Sequence, residues 1–256
     1  MLNKTLRAAI ERHALAEYPR ECCGLVVHAK GRRRYVPCRN TAATGDQFVL
    51  SAEDYAAAED RGPVLAVVHS HPDWPATPSA ADRVGCEASA LPWYILEVRR
   101  GDDGHVRAGA LSELKPSGYR APLVGRPFVH GVLDCYSLVR DYYAREMDIE
   151  LPDFPREDGW WNTGQELYRD LYKVAGFYPV DVPRQGDMIV MQHRAAVLNH
   201  AGIFLEDGRL VSEPEHYPAP GSILHHLYGR DSRRDVYGGY WAECTGLILR
   251  HREAKG

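Results

Sequence analysis

The chain has 256 residues, of which 45% are hydrophobic and 26% charged, and its formal net charge is −4. These values are typical of a globular protein with one or two domains, and they exclude a disordered, collagen-like or coiled-coil chain. With 31 basic and 35 acidic residues, the chain has no basic footprint, so we expect no nucleic-acid partner. The longest aliphatic runs, such as 64–68, are far shorter than the ~20 residues of a membrane span, so no transmembrane helix is predicted.

The sequence starts with a charged segment, which includes Lys4, Arg7 and Glu11, and this segment has no apolar core of signal-peptide length. The cysteines are scattered and show no repeated spacing. Without an export signal they are expected to be reduced thiols rather than a disulfide framework.

The first half of the chain predicts a mixed α/β domain. Helical spacing extends over 2–18 and ends before Pro19. Ser51 has the character of an N-cap for a second helix over 52–60. The predicted strands, each a short apolar run, are 23–28, 35–36, 64–68 and 93–98.

A linker is predicted next, because periodicity disappears between 113 and 127 and proline and glycine are dense there. We therefore expect a first domain over residues 1–115, a linker over 116–126 and a second domain over 127–256.

The second half begins with a predicted helix over 135–147, with Asp134 as its N-cap, and a further helix is expected over 164–175. Three strand-like runs follow: 187–191, 200–205 and 222–227. Asp207-Gly208 is a hairpin signal between the last two. A helix followed by an antiparallel sheet is an α+β arrangement.

Metal-ligating side chains directly follow the strand over 64–68. Residues i and i+2 of a strand face the same side, so His69 and His71 can direct both imidazoles to one point. A turn can bring back the carboxylate of Asp82 as a third ligand. Two histidines, one aspartate and one open position form a catalytic zinc site, so the sequence predicts Zn²⁺ on these three residues.

Such a site also needs a general base, because zinc lowers the pKa of water to about 7 and a nearby carboxylate can then accept its proton. Glu21, before the strand over 23–28, is the candidate base, and Ser79 is the candidate hydrogen-bond donor to the oxyanion. Two alternatives remain open. Ser79 and Asp82 have the spacing of a capping box that starts a helix, and Glu21 could be an ordinary surface acid.

The segments 21–26 (Glu-Cys-Cys-Gly-Leu-Val) and 69–72 (His-Ser-His-Pro), with Ser79 and Asp82, resemble the JAMM/MPN+ metallopeptidases. The resemblance covers about residues 1–110. It implies an α/β MPN fold with a central sheet between helices, zinc on His69, His71 and Asp82, Glu21 as the base, and cleavage of amide or isopeptide bonds.

A thiol site is predicted in the second half. Cys135 falls in the first turn of a predicted helix, where the amide groups and the helix dipole favour a thiolate. His200 opens a strand and could act as its base, and His225 on the neighbouring strand could orient that base. The alternative for a lone cysteine is a small buried helix residue.

The segments 128–135 (Phe-Val-His-Gly-Val-Leu-Asp-Cys) and 199–205 (Asn-His-Ala-Gly-Ile-Phe-Leu) resemble the NlpC/P60 cysteine peptidases, which have a papain-like α+β core. The resemblance implies Cys135 as nucleophile, His200 as base and His225 as third residue. It also implies cleavage within the peptide stems of peptidoglycan, typically at a D-glutamyl–diamino acid bond.

The sequence departs from that family in three places. Tyr136 stands where the family usually has serine. Phe128 lies where a tyrosine often supplies an oxyanion hydroxyl, so that role is either vacant or taken by Tyr136 or Tyr142. The stretch 211–221 lengthens the path from the base to the third residue, so Glu213 or His216 could replace His225.

A JAMM domain followed by an NlpC/P60 domain in one chain of this length is similar to a family of tail-tip proteins of lambda-like siphophages. This resemblance implies tail-tip proteins as partners, synthesis in the host cytoplasm, and action from the virion tail tip on the host cell wall in the periplasm. The alternatives are a structural tail-tip component with quiet or blocked sites and a cellular peptidoglycan peptidase.

Overall fold

The computed structural model describes residues 2–45 and 47–254. The chain divides into two compact units, Met1–Arg120 and Ala121–Gly256. Among the described residues, no helix has both the length and the apolar character that crossing a bilayer requires.

The first unit is a five-stranded sheet with helices on both faces. Its elements are α1 (Lys4–Glu17), β1 (Cys23–Ala29), β2 (Arg32–Cys38), α2 (Ala52–Glu59), β3 (Val64–Pro72), α3 (Ala80–Ser89), β4 (Trp93–Arg100) and β5 (Val106–Leu114). The strand order is β2-β1-β3-β4-β5. Strands β3 and β4 run parallel, and the other neighbours run antiparallel. The α/β arrangement predicted for this half is observed.

The central strands of this sheet contribute to two cores, because successive side chains of a strand point to opposite faces. Val68 packs with Ile10 of α1 on one face. Its neighbour Val67 packs with Ala58 of α2 and Cys86 of α3 on the other. Strand β3 is therefore buried on both sides, which holds its carboxyl end firmly in place.

Strand β3 is longer than predicted. The apolar run ends at Val68, but pairing with β1 and β4 continues beyond it, so the strand includes His69 and His71. Strand β5 was not predicted. The predicted helices over 2–18 and 52–60 are observed with slightly different ends.

The second unit is a six-stranded antiparallel sheet in the order β10-β9-β8-β7-β11-β6. Its elements are α4 (Cys135–Glu146), a 3₁₀ helix (Trp160–Asn162), α5 (Leu167–Leu171), β6 (Phe177–Pro179), β7 (Met188–Met191), β8 (His200–Leu205), β9 (Ser222–His225), β10 (Arg233–Val236), α6 (Tyr240–Glu243) and β11 (Thr245–His251). The predicted order of a helix followed by an antiparallel sheet is observed.

Helix α4 packs across β8. Leu138 and Val139 of the helix share one core with Ala201 and Ile203 of the strand. Since the backbone N–H of Ala201 also reaches the Cys135 thiol, this packing brings the N-terminus of α4 to the start of β8.

Two predictions for this unit are wrong. The helix expected over 164–175 is reduced to the short α5. The hairpin expected at Asp207-Gly208 does not form, since β8 and β9 pair antiparallel across a long loop. That loop is closed by hydrogen bonds from Gly221 N to Glu206 O at 3.1 Å and from Ala219 N to Gly208 O at 3.0 Å. Strands β6, β10 and β11 and helix α6 were not predicted.

Candidate metal and thiol sites

The first cluster lies where the end of β3 meets the start of α3. His69 Nε2 is 3.1 Å from His71 Nε2 and 3.0 Å from Asp82 Oδ1. His71 Nε2 is 3.3 Å from Asp82 Oδ2. One ligand atom from each of the three residues lies within 4.8 Å of the other two. The structure therefore brings the three predicted ligands to one point.

The donor atoms fit a zinc ion. His71 Nδ1 lies 2.7 Å from the carbonyl oxygen of Pro75, so in the neutral ring Nδ1 carries the hydrogen and Nε2 carries a lone pair. This lone pair, the facing Nε2 of His69 and the carboxylate of Asp82 are electron-pair donors that converge within hydrogen-bond distance. Two imidazole nitrogens and one carboxylate are a donor set that zinc prefers.

Burial and hydrogen bonding set the charges of these ligands. Burial lowers the pKa of His69, which keeps its imidazole neutral and able to coordinate. For Asp82, burial favours the neutral acid, but the neighbouring imidazoles of His69 and His71 outweigh it and bring the pKa of the carboxyl well below its usual value.

Aromatic rings fix the position of His69. Phe48 stacks on its imidazole with ring centroids 4.8 Å apart, and Trp93 meets it edge-on at 5.5 Å. Helix α3 approaches Trp93 closely at Gly85, where a Cβ atom would lie 2.5 Å from the indole ring. Glycine at this position lets the helix that carries Asp82 lie against the sheet.

Ser79 is the N-cap of α3. Its Oγ accepts a hydrogen bond from Asp82 N at 3.1 Å, and its own backbone N–H donates to Asp82 Oδ2 at 2.7 Å. The capping box that we considered as an alternative is therefore present. It coexists with the ligand geometry, because the same carboxylate also faces the two histidines. Accepting this bond uses a lone pair of Ser79 and not its hydroxyl hydrogen.

Glu21 lies at the same end of the sheet. Cys23 pairs with His69 across β1 and β3, and Ser70 N donates to Cys22 O at 3.2 Å. Glu21 is only 8% exposed, so it is not a surface acid. Burial lowers the pKa of His71, but the contact with Asp82 outweighs it and raises the pKa, and the charge of Glu21 adds a smaller contribution in the same direction.

The second cluster surrounds Cys135, the first residue of α4. Asp134 caps this helix, and its Oδ1 accepts a hydrogen bond from Ser137 N at 2.9 Å. Arg156 donates to the same carboxylate at 2.7 Å and holds it in place. The unpaired N–H groups at a helix N-terminus favour negative charge, so the capped first turn favours a thiolate.

The sulfur of Cys135 contacts two hydrogen-bond donors. The hydroxyl of Tyr168 lies 3.4 Å from Sγ, and the backbone N–H of Ala201 also bonds to it. Burial and the charge of Asp134 raise the pKa of the thiol, and the two donors partly offset this effect. Cys135 and His200 line the same open pocket.

A series of side chains leads away from His200. His200 Nε2 is 3.0 Å from His225 Nδ1, and His225 Nε2 is 3.1 Å from Asp235 Oδ2. These residues meet because β8, β9 and β10 are neighbours, with Gly202 paired to His225 and His225 paired to Arg233. Sequence reasoning missed Asp235, which lies in a strand without an apolar pattern.

The tautomers follow from this order. A carboxylate can only accept, so His225 donates to Asp235 from Nε2 and has a lone pair on Nδ1. His200 must then donate from Nε2, which leaves the lone pair on its Nδ1. Burial lowers the pKa of both histidines, and for His225 the bond to Asp235 opposes this. Both rings are therefore neutral near pH 7, and His200 Nδ1 is available as a base.

The other candidates for the third residue lie elsewhere in the unit. Glu213 is buried and accepts a hydrogen bond from Arg145 at 2.9 Å, and His216 lies 3.5 Å from Glu213. The structure therefore places His225, and neither of these two, against His200.

The tyrosines considered as oxyanion donors are engaged elsewhere. Tyr136 donates to the carbonyl oxygen of Pro152 at 2.9 Å, and the hydroxyl of Tyr142 accepts a bond from Gln185 at 3.2 Å. Tyr168, which sequence reasoning missed, has its hydroxyl at the thiol instead. The sequence offered no signal for it, because α5 is short and lies far along the chain from Cys135.

Comparisons with known proteins agree with the division of the chain into two different domains. The family of prokaryotic homologs of the JAB domain matches residues 3–108, and the NlpC/P60 family matches residues 125–250. These matches confirm the predicted α/β MPN domain followed by a papain-like α+β domain.

Two curated relatives span most of the chain. Tail tip assembly protein K of Escherichia phage N15 is 44% identical, over 100% of this chain and 98% of that protein. Tail tip assembly protein K of Escherichia phage lambda is 37% identical, over 79% of this chain and 89% of that protein. Among solved structures, the solution structure of a Desulfitobacterium hafniense protein is 24% identical with a TM-score of 0.33, over 45% of this chain and 89% of that one. The chain therefore belongs to the tail tip assembly protein K family of phages.

Proposed function

We propose that this protein acts at the phage tail tip, together with other tail-tip proteins, and that both of its domains hydrolyse amide bonds. It is made in the host cytoplasm and acts on the cell wall in the host periplasm during infection. The NlpC/P60 domain cleaves peptidoglycan stem peptides at the D-glutamyl–diamino acid bond. The observation that carries this proposal is the hydrogen-bonded series from Asp235 through His225 to His200, which lines the same pocket as Cys135.

The chemistry of the thiol site follows from the tautomers. His200 Nδ1 takes the proton of Cys135, and the thiolate attacks the amide carbonyl. The N–H groups at the start of α4 stabilise the negative charge that develops on the carbonyl oxygen. His200 then gives its proton to the departing amine, and water hydrolyses the thioester with His200 as base.

The test is the release of stem peptides from purified sacculi by the full-length protein. Cys135→Ala should abolish release, and Cys244→Ala is the matched control, since Cys244 is another partly exposed thiol of the same unit. No release by the intact protein and no effect of Cys135→Ala would show that the proposal is wrong.

The JAMM domain acts as a zinc-dependent peptidase or isopeptidase on a cell-wall peptide or on a tail assembly partner. A zinc ion held by His69, His71 and Asp82 would supply Lewis acidity. The carboxylate of Glu21 takes the proton of the attacking water and passes it to the departing amine. The hydroxyl hydrogen of Ser79 is donated to the carbonyl oxygen as it becomes negative.

Zinc content and processing test this second activity. His71→Ala should lose zinc and lead to the accumulation of an uncleaved tail component, or to loss of cell-wall peptide cleavage. His105→Ala, which changes an exposed histidine of the same unit, should retain both. Normal zinc content and normal processing with His71→Ala would contradict the proposal.

A structural tail-tip component without turnover is the second candidate. It is favoured by the burial of the Cys135 thiol, which raises its pKa. In that case virions with Cys135→Ala would infect normally, and neither substrate would be cleaved by the intact protein.

A further inference from the structure

The hydroxyl of Tyr168 is held against the sulfur of Cys135. The two atoms are 3.4 Å apart. The tyrosine ring is buried in the core of the second unit, where Trp160 packs edge-on against it with centroids 6.1 Å apart and Tyr136 does so at 6.4 Å. The ring is therefore fixed by its neighbours, and its hydroxyl remains at the nucleophile.

We infer that Tyr168 is a further catalytic residue of the thiol site: its hydroxyl donates a hydrogen bond to the Cys135 thiolate and stabilises the ionised nucleophile. This inference rests on the proposed function of the NlpC/P60 domain. It assigns to a residue of α5 a task that neither Phe128 nor the tyrosines of α4 can perform.

The direction of the hydrogen bond is set by ionisation. Burial raises the pKa of Tyr168 well above its usual value, so the hydroxyl keeps its proton at any pH at which the enzyme works. A thiolate has no hydrogen and can only accept. Hydrogen bonds to an ionised group are roughly twice as strong as neutral ones, so the contact stabilises the thiolate more than the thiol.

The thiolate needs this donor because its surroundings oppose ionisation. Burial and the charge of Asp134 both raise the pKa of Cys135. The backbone N–H of Ala201 is the other donor that bonds to the sulfur and lowers this pKa. The hydroxyls of Tyr136 and Tyr142 bond to other groups, so they cannot replace Tyr168.

The Tyr168→Phe variant distinguishes stabilisation of the thiolate from two other roles, which are stabilisation of the oxyanion and a purely structural contribution. The variant keeps the buried ring and removes only the hydroxyl. Loss of a donor to the thiolate shifts the pH dependence of the nucleophile, whereas loss of a donor to the oxyanion lowers the turnover rate at every pH. A merely structural contribution lowers the plateau reactivity without moving the pH midpoint.

The experiment measures the rate at which iodoacetamide alkylates Cys135 in the full-length protein, followed by mass spectrometry of the Cys135 peptide between pH 6 and about 11.5. This range extends well above the ordinary thiol pKa of about 8.5, because burial raises the pKa of Cys135. With Tyr168→Phe, we expect the midpoint to rise by about one pH unit and the rate at pH 7 to fall about tenfold. The plateau rate at high pH should remain within about twofold, because a less stabilised thiolate is at least as nucleophilic.

Tyr136→Phe is the matched control, because it removes a neighbouring hydroxyl that points to Pro152, and its profile should coincide with the wild type. A Tyr168→Phe profile with an unchanged midpoint would overturn the inference, whether or not the plateau falls. The assay needs no peptidoglycan. A shifted midpoint without stem-peptide release would therefore contradict the proposed function and leave the hydrogen bond intact as a finding.

Discussion

The carboxylate of Asp235 determines that the lone pair of His200 lies on Nδ1, because it bonds to His200 through His225. Asp235 accepts from His225 at 3.1 Å, and its Oδ2 also accepts from Arg233 at 2.8 Å. The arginine holds the carboxylate of Asp235 in position, and because a carboxylate can only accept, it fixes the direction of each bond in the series. We therefore propose that Asp235 positions His200, the proposed base, from outside the reach of the thiol.

Asp235→Asn tests this role. An amide can present either its oxygen or its NH₂ group to His225, so the tautomer of His200 is no longer imposed. We expect kcat for stem-peptide release to fall by at least about tenfold, with little change in KM, since removal of the orienting acid from such a series lowers kcat strongly. Asp231→Asn, an exposed aspartate of the same segment, is the control, and equal rates for the two variants would contradict the prediction.

At the level of secondary-structure elements, the N-terminus of a helix positions key residues in both sites. Asp82 is a predicted metal ligand and also the acidic member of the capping box of α3, while Ser79 is the other member. Asp134 caps α4 directly before the nucleophile. In both cases a helix cap that is recognisable in the sequence orients a reactive side chain: the carboxylate of Asp82 in the first unit and the thiol of Cys135 in the second.

Substitutions of the two members of the α3 capping box should distinguish an effect on folding stability from an effect on zinc binding. Ser79→Ala removes one capping hydrogen bond and should lower the free energy of unfolding of the first unit by about 1 kcal/mol, while zinc content stays unchanged. Asp82→Ala should lose the cap and the zinc together. Urea unfolding and elemental analysis measure the two effects, and loss of zinc in Ser79→Ala would count against the assignment of ligands.

The stability that Asp134 contributes as the cap of α4 depends on pH. Burial opposes ionisation of Asp134, but the hydrogen bond and charge of Arg156 outweigh it and lower the pKa from 3.8 to about 2. A lowered folded-state pKa means that the stability is present above pH ~4 and is lost as the pH falls to about 2. The shift corresponds to roughly 2 kcal/mol.

Asp134→Asn should therefore lower the free energy of unfolding of the second unit at pH 6, and the difference from wild type should shrink as the pH falls from about 4 to 2. Asp153→Asn is the control, because Asp153 also pairs with Arg156 but its side chain is 51% exposed, so its effect should be under about 1 kcal/mol. A difference that stays constant from pH 6 to pH 2 would disprove the linkage.

Short sequence patterns correctly predicted the helix and the strand that contain Cys135 and His200. Strand β8 was predicted at its observed bounds, and the cap of α4 was read from Asp134. The predictions failed where the structure depends on pairing between segments that are far apart in the sequence. Gly208 has the positive φ of +73° that its Asp-Gly pair suggests, but the turn closes a loop and not a hairpin. Likewise, Tyr168 and Asp235 reach their partners only through packing and strand order, which leave no local pattern.

For the whole molecule, each site is assembled from residues of a single unit. Glu21, Ser79 and the three predicted metal ligands belong to Met1–Arg120, and the residues from Cys135 to Asp235 belong to Ala121–Gly256. Every residue that we assign to a site, among those the structure describes, lies in the same unit as the other residues of that site. The two activities should therefore be separable by single substitutions in the full-length protein.

This separation gives the last prediction. His71→Ala, or removal of the metal by a chelator, should abolish zinc binding while the alkylation rate of Cys135 and stem-peptide release remain within about twofold, since substitutions at independent sites act additively. Conversely, Cys135→Ala should leave zinc content unchanged. If metal removal slowed Cys135 alkylation about tenfold, zinc would stabilise more than its own domain. The two units would then have to be treated as one thermodynamic system, because a ligand that binds one folded state stabilises whatever unfolds with it.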